Sequence, residues 1–276
     1  MKRDLDKQVV LVTGATSGIG RGLARAVAAQ GATVLLHGRD PERGEATAKQ
    51  IRESTDGDRL AVYQADLASL AQVRSLANEV LRDHDRLDVL VNNAGVGTGP
   101  GGQAPRAVSE DGYELRFAVN YLAPFLLTRL LQPLLLQSAP ARIVNVVSAG
   151  QAPLDFDDLM LERGWTGSEA YCRSKLALVM FTFDLADELR GVGVTANSLH
   201  PGTFMPTKMV LEAGVTPMDS VESGVEATHR LVVDPAVGGV TGRYFDRKDE
   251  ARAHPQAYDP EARRVLRERS AELVRL

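Results

Sequence analysis

Tyr171-Cys172-Arg173-Ser174-Lys175 places a phenol and an ammonium four residues apart. On a helix that spacing puts both side chains on one face, where they can project into the same cleft. A free phenol has a pKa of about 10, too high for an efficient base near neutrality. A neighbouring ammonium favours the phenolate and so makes tyrosine a usable proton donor and acceptor. Alone, the pair is better explained by a solvated helix face, since a tyrosine four residues before a lysine occurs often by chance. Ser148 ends the run Ile143-Val144-Asn145-Val146-Val147-Ser148, 23 residues before Tyr171. Its hydroxyl is suited to hydrogen-bond a substrate oxygen and hold it for the tyrosine proton. Asn120 in Phe117-Ala118-Val119-Asn120, and the turn His200-Pro201-Gly202-Thr203, add polar groups and backbone donors. A buried serine or asparagine is often only a satisfied structural group. The order of these residues relative to a second cluster gives them weight.

That cluster is Thr13-Gly14-Ala15-Thr16-Ser17-Gly18-Ile19-Gly20, which follows a short apolar run and precedes a helical stretch. Glycines there permit a sharp turn and let backbone amides approach a pyrophosphate, while the helix N-terminus adds unpaired N–H donors. A lone glycine-rich turn is weak evidence; one between a strand and a helix is much stronger. The next strand ends Leu36-His37-Gly38-Arg39. A dinucleotide site selective for NAD places a carboxylate at this strand end, on the ribose 2′-hydroxyl. Gly38 and Arg39 stand there instead. A guanidinium can bind a 2′-phosphate through paired charge-assisted bonds, so NADP(H) is expected; the alternative is a surface arginine ending a strand.

These residues need a scaffold. Val9–Thr13, Thr33–His37, Leu60–Gln64, Val89–Asn92, Ile143–Val147 and Val194–Leu199 read as strands, several of them continuously apolar, as a parallel sheet covered on both faces requires. Helical stretches alternate with them: Gly18–Ala29, Pro41–Glu53, Leu70–Asp83, Glu110–Leu136, Ser168–Arg190 and Ser220–Val232. The alternation predicts a single-domain α/β fold over residues 1–276, a doubly wound parallel β-sheet flanked by helices on both faces. Gly242–Phe245 is expected as an edge strand, and Asp259–Leu276 as a closing helix packed through Val265, Leu266, Leu273 and Val274. Three irregular segments, Gly97–Arg106, Gln151–Gly167 and Thr203–Asp219, follow strands whose C-terminal ends share one sheet edge, where ligands bind in such folds. Within the last, Phe204, Met205, Met209, Val210 and Leu211 offer an apolar wall for a substrate, or simply seal the core.

Of 276 residues, 44% are hydrophobic and 25% charged, which is ordinary globular composition; the net charge of −4 gives no general attraction to nucleic acid or acidic membranes. No signal peptide is evident near Met1, and no apolar run of roughly 18–20 residues is counted, since Leu122–Leu136 is interrupted by Arg129, Gln132 and two prolines. Cys172 is the only cysteine, in keeping with a reducing cytoplasm. The expectation is a cytoplasmic protein with no membrane or nucleic-acid partner and no metal site. Tyr121–Leu136 is apolar around much of its circumference, which predicts a homodimer or homotetramer assembled through that helix.

Taken together, Thr13-Gly14-x3-Gly18-x-Gly20, Asp66-Leu67, Asn92-Asn93-Ala94-Gly95, Asn120, Ser148 and Tyr171-x3-Lys175 resemble the short-chain dehydrogenase/reductase family across roughly residues 8–245. Gly38-Arg39-Asp40, Phe156-Asp157-Asp158-Leu159 and Gly242-Arg243-Tyr244-Phe245 look most like its retinol-dehydrogenase-type, NADP-dependent reductases, without their membrane anchor. The resemblance implies hydride transfer between NADP(H) and a ketone, aldehyde or alcohol of an apolar small molecule. It implies that Ser148 orients the substrate and Tyr171 is the general acid/base. Lys175 would lower the tyrosine pKa and bind the nicotinamide ribose, and Asn120 would hold a relay water. Asp66 and Leu67 would meet the adenine, Asn93, Ala94 and Gly95 would line the cofactor cleft, and Pro201, Gly202 and Thr203 would face the carboxamide. The alternatives are a ketoreductase of fatty-acid or polyketide synthesis and an inactive NADP-sensing regulator. The chain departs from the family at Val147, before the serine, and at Pro206. There the family often has a threonine, which here follows at Thr207, leaving its cofactor contact open.

Overall fold

The apolar runs pair as strands in a computed structural model that describes residues 4–102 and 105–276. The first half runs β1 (Val9–Val12), α1 (Gly18–Ala28), β2 (Thr33–Gly38), α2 (Pro41–Ser54), β3 (Leu60–Gln64), α3 (Leu70–Asp83) and β4 (Val89–Asn92). There follow α4 (Leu115–Phe117), a π-helical turn (Ala118–Leu122), α5 (Ala123–Gln137), β5 (Ala141–Val146), α6 (Gly167–Glu188) and β6 (Val194–His200). The chain closes with α7 (Lys208–Glu212), α8 (Val221–Val233), β7 (Tyr244–Asp246), β8 (Asp249–Ala251) and α9 (Pro260–Val274).

The strands form one sheet in the order β3-β2-β1-β4-β5-β6-β7-β8. All neighbours are parallel except β8, which returns antiparallel to β7. The strand order reverses between β1 and β4, which opens a crevice at their C-terminal ends. Every residue of β1 is buried, and its side chains alternate between two cores. Val10 and Val12 pack with Leu23 and Val27 of α1 and Leu231 of α8; Leu11 packs with Leu76 of α3, Leu126 of α5 and Leu178 of α6. Full burial of such side chains stabilises by roughly 1.5–3 kcal/mol each.

Several boundaries differ from the sequence reading. The helix expected from Glu110 starts at Leu115, because Gly112 takes φ +84° and the Glu114 carboxylate caps the first turn by accepting from Phe117 N at 2.8 Å. With the π turn, the helix is continuous over Leu115–Gln137, so it is long and apolar enough by length and composition to cross a membrane. Yet 72% of its most apolar stretch is buried inside the protein. Leu122, Phe125, Leu126, Leu127, Leu131, Leu134 and Leu135 are all buried within this one chain, in the core shared with α3 and α6. That coverage removes the reason given above for a helix-mediated oligomer. Gly242–Phe245 is not the edge: β7 pairs on both sides, and the outer strand is β8. The closing helix forms, but its buried face is Ala262, Leu266, Ser270 and Val274, with Leu273 partly buried against the core and Val265 outside it; Ser270 Oγ lies 2.6 Å from Tyr121 Oη. Of the irregular segments, Thr203–Asp219 contains α7, and Gln103 and Ala104 of Gly97–Arg106 lie outside the described residues.

Candidate active site

The glycine-rich turn is shaped from below. Gly14 adopts φ +66°, a conformation that favours glycine, and donates its N–H to His37 Nδ1 at 3.3 Å. Burial pushes the His37 pKa down to about 4, so the ring is neutral; Nδ1 accepts and Nε2–H donates to Ala65 O at 3.1 Å. A Cβ on Gly20 would run into the Gly14 carbonyl and Asn93 Nδ2, so backbone and side chain meet where only glycine fits. Asn93 Nδ2 donates to Thr13 O at 2.8 Å, and Thr13 Oγ1 accepts from the backbone of Asn93 and Ala94. The Asn93 side chain therefore braces the turn, and the adjoining backbone of Ala94 and Gly95 lines the crevice. Ser17 precedes α1 with its hydroxyl uninvolved in capping, no acidic residue occupies the first turn, and Ile19 and Gly20 open the helix. These donors suit a pyrophosphate.

At the end of β2, Arg39 is exposed and none of the ion pairs among the described residues uses it. A Cβ on Gly38 would sit 2.7 Å from Thr16 Cγ2, so glycine is needed there for the turn to approach the strand. Asp66 uses one oxygen to accept from Ala68 N at 2.9 Å, and Leu67 is buried beside it. Thr207, displaced by one position in the sequence, reaches the site nonetheless: its methyl group would meet a Cβ on Gly18 at 3.1 Å. Thr203 differs from expectation. Its N–H donates to Asp219 Oδ2 at 2.6 Å and its hydroxyl is 3.1 Å from His200 Nε2, so it closes the base of the loop.

Ser148, Tyr171 and Lys175 converge at the same sheet edge. Ser148 follows β5; its Oγ accepts from Gly150 N at 3.1 Å and hydrogen-bonds the Tyr171 phenol. Burial raises the Tyr171 pKa, and the Ser148 hydrogen bond pulls it back. Lys175 is buried, with Nζ donating to Val146 O at 3.0 Å and lying 5.7 Å from the Tyr171 ring centre. Desolvation brings its pKa down to about 8, so the ammonium persists at neutral pH. Asn120 sits in the π turn, a local widening common at functional sites. Its amide nitrogen donates to Val96 O and Ser174 Oγ, each at 3.0 Å, and its oxygen accepts from Val96 N at 2.7 Å. Its side chain thus ties the β4 loop to α6 as a brace.

Sequence reasoning missed Thr13, His37 and Cys172. A Cβ on Gly150 would meet Cys172 Sγ at 3.2 Å and Ser148 Oγ at 3.5 Å, which puts the thiol beside the serine. Of the apolar loop residues, Met205 is buried with its sulfur against Gly224, beside Ile19, whereas Phe204 and Leu211 are exposed and Met209 packs on Gly97 across the crevice.

Residues 8–216 match the family model for short chain dehydrogenase. Retinol dehydrogenase 13 of Homo sapiens is 38% identical over 293 residues, spanning 100% of this chain and 87% of its own length. A short chain dehydrogenase from Escherichia coli CFT073, solved with NADPH, superposes with TM-score 0.72 and 29% identity over 90% of this chain and 100% of its own. The 3-ketoacyl-(acyl-carrier-protein) reductase of Brucella melitensis, solved with NADH, gives TM-score 0.69 and 26% identity over 89% and 100%. The chain belongs to the short-chain dehydrogenase family. It is an oxidoreductase acting on CH–OH or C=O groups, and its glycine-rich crevice fits a nicotinamide dinucleotide.

Proposed function

We propose that the protein uses NADPH to reduce the ketone or aldehyde group of an apolar small molecule, running the reverse oxidation where concentrations favour it. The observation that carries this reading is the convergence of Ser148, Tyr171 and Lys175 beside the glycine-rich turn. The bound cofactor would supply the hydride to the carbonyl carbon. Ser148 would hydrogen-bond the carbonyl oxygen and hold it against Tyr171, whose O–H would give its proton to that oxygen. Burial keeps the phenol protonated, the state reduction requires. The Lys175 ammonium would stabilise the phenolate left behind. Gly14, Thr16, Ser17, Gly18, Ile19 and Gly20 would hold the pyrophosphate, with Thr207 beside them, and Arg39 the 2′-phosphate. Asp66 and Leu67 would border the adenine, and Pro201 and Gly202 the carboxamide.

Exposed Phe204, Leu211 and Met218 support an apolar substrate. Phe204 is held at φ +45°, an unfavourable conformation for a side-chain-bearing residue, with its carbonyl accepting from Met218 N at 3.1 Å. A carrier-linked substrate would favour free cations here, but Lys208 of the same loop pairs with Glu212 at 3.5 Å. A screen of NADPH consumption over ketones, aldehydes and carrier-linked thioesters tests the class; activity confined to thioesters would replace this reading with a ketoreductase.

Lys175→Ala separates its two roles. Oxidation needs the phenolate, so its rate rises with pH through the Tyr171 pKa. Removing the ammonium should raise that pKa, and the rise should move to higher pH. Loss of a ribose hydrogen bond should also weaken NADPH binding about fivefold. An unchanged profile with unchanged affinity would eliminate both roles.

The reading also places the protein in the cytoplasm, supported by a single, free cysteine. It includes a homodimer or homotetramer, for which the support is now only the exposed Pro133 and Leu136 on α5. Light scattering should show at least a dimer at micromolar concentration, and a monomer alone would remove the assembly.

A further inference from the structure

Arg116 and Glu114 form an ion pair that the chemistry above does not use, with side chains only 3% and 1% exposed and Nη1 to Oε1 at 3.3 Å. Burying two charges is costly unless the remaining hydrogen-bonding capacity is also satisfied. Here it is, by three segments that frame the active site. Arg116 Nε donates to Gly97 O at 2.9 Å and Nη2 to Thr98 O at 3.2 Å, in the loop after β4. Glu114 Oε2 caps the helix that carries Asn120. Glu114 Oε1 also accepts from Trp165 Nε1 at 3.3 Å, and the Arg116 guanidinium lies 5.3 Å from the Trp165 ring centre. Trp165 ends the long Ser148-to-Tyr171 segment, just before α6. Gly97 in turn is the surface on which Met209 of α7 rests.

We propose that Arg116 is a positioning residue which, with Glu114, docks the Trp165 segment onto the loop after β4 and so preforms the substrate entrance. The inference rests on the catalytic reading above for its location, but not for its test. The guanidinium fork reaches two carbonyls and a carboxylate at once, which a lysine ammonium, a single point of charge, does not. Ser148, Tyr171 and Lys175 are anchored separately, through Gly150 N and Val146 O. Loosening the entrance should therefore weaken substrate capture much more than turnover.

Trp165 is the only tryptophan in the chain, so its fluorescence reports docking without reference to activity. Removing Arg116 alone would strand a buried carboxylate and risk unfolding. The double variant Arg116→Met with Glu114→Gln avoids this, and its amide oxygen can still accept from Phe117 N. Arg116→Lys provides a second, charge-retaining variant. In both, KM for the carbonyl substrate should rise about tenfold or more, with kcat falling less than threefold and NADPH affinity within threefold. Quenching of Trp165 by acrylamide should increase about twofold, as measured on protein whose cooperative thermal unfolding shows it to be folded. Wild-type KM in either folded variant, or a raised KM with unchanged Trp165 quenching, would overturn the proposal. If the wild type reduces no carbonyl, the catalytic reading fails, and the quenching experiment still decides whether Arg116 docks the Trp165 segment.

Discussion

Tyr171→Phe is expected to cut turnover at least about 100-fold, while leaving NADPH affinity within about twofold of the wild type. The substitution deletes one oxygen, the proposed donor to the nascent alkoxide. It leaves the ring that packs beside Lys175, with Nζ 5.7 Å from the ring centre. Lys175 keeps its bond to Val146 O, so the cofactor side of the cleft should hardly move. Ser148 keeps Gly150 N as a hydrogen-bond partner, so the substrate oxygen retains a partner and KM should change little. Steady-state rates with any active carbonyl, combined with a cofactor titration, provide the check. Near-normal turnover would remove Tyr171 from the chemistry and leave it as a packing residue.

The second large effect is cofactor choice. A charge-assisted hydrogen bond contributes roughly 1.5–3 kcal/mol, a preference of about 10- to 150-fold. Arg39 is exposed, so solvent screening puts the expected NADPH preference near the low end, about tenfold. Arg39→Ala should remove most of it by weakening NADPH while sparing NADH. Ser17, whose hydroxyl is free of capping, can share the phosphate and leave a residue of preference. Gly38→Asp should reverse the preference by repelling the 2′-phosphate and offering a partner to the ribose hydroxyl of NADH. Because a Cβ at Gly38 would meet Thr16 Cγ2 at 2.7 Å, that variant is best made with Thr16→Ala. Dissociation constants for both cofactors across the wild type and variants decide the matter. Wild-type affinity for NADH equal to or tighter than that for NADPH would leave Arg39 an ordinary surface residue.

The features legible in the sequence are those in which residue type and local periodicity carry the information. The glycine spacing from Gly14 to Gly20, the apolar strands and the Tyr171–Lys175 repeat all need only neighbours in the chain. What escaped depends on partners distant in sequence. Asp249–Ala251 has no apolar alternation because it is an outer strand with an exposed start, and only pairing with β7 reveals it. The widening at Ala118–Leu122 leaves the helical pattern intact while turning Asn120 toward Val96 and Ser174. The apolar circumference of α5 reads as an intersubunit face only until α3 and α6 are seen to cover it. His37 looks like an ordinary strand residue, yet desolvation makes it a neutral acceptor for Gly14. Thr207 seemed displaced by one residue, but the loop brings it back against Gly18.

Hydride transfer is tested most directly by following the label from NADPH deuterated at the nicotinamide carbon that gives up hydride. The protein is incubated with a panel of apolar ketones and aldehydes, and the products are examined by mass spectrometry. At least one alcohol product is expected to carry a single deuterium on its carbinol carbon, with cofactor oxidised in equal amount and both signals formed at least about 100-fold more slowly in Tyr171→Phe. A protein that binds the labelled cofactor yet transfers no deuterium to any member of the panel would contradict it.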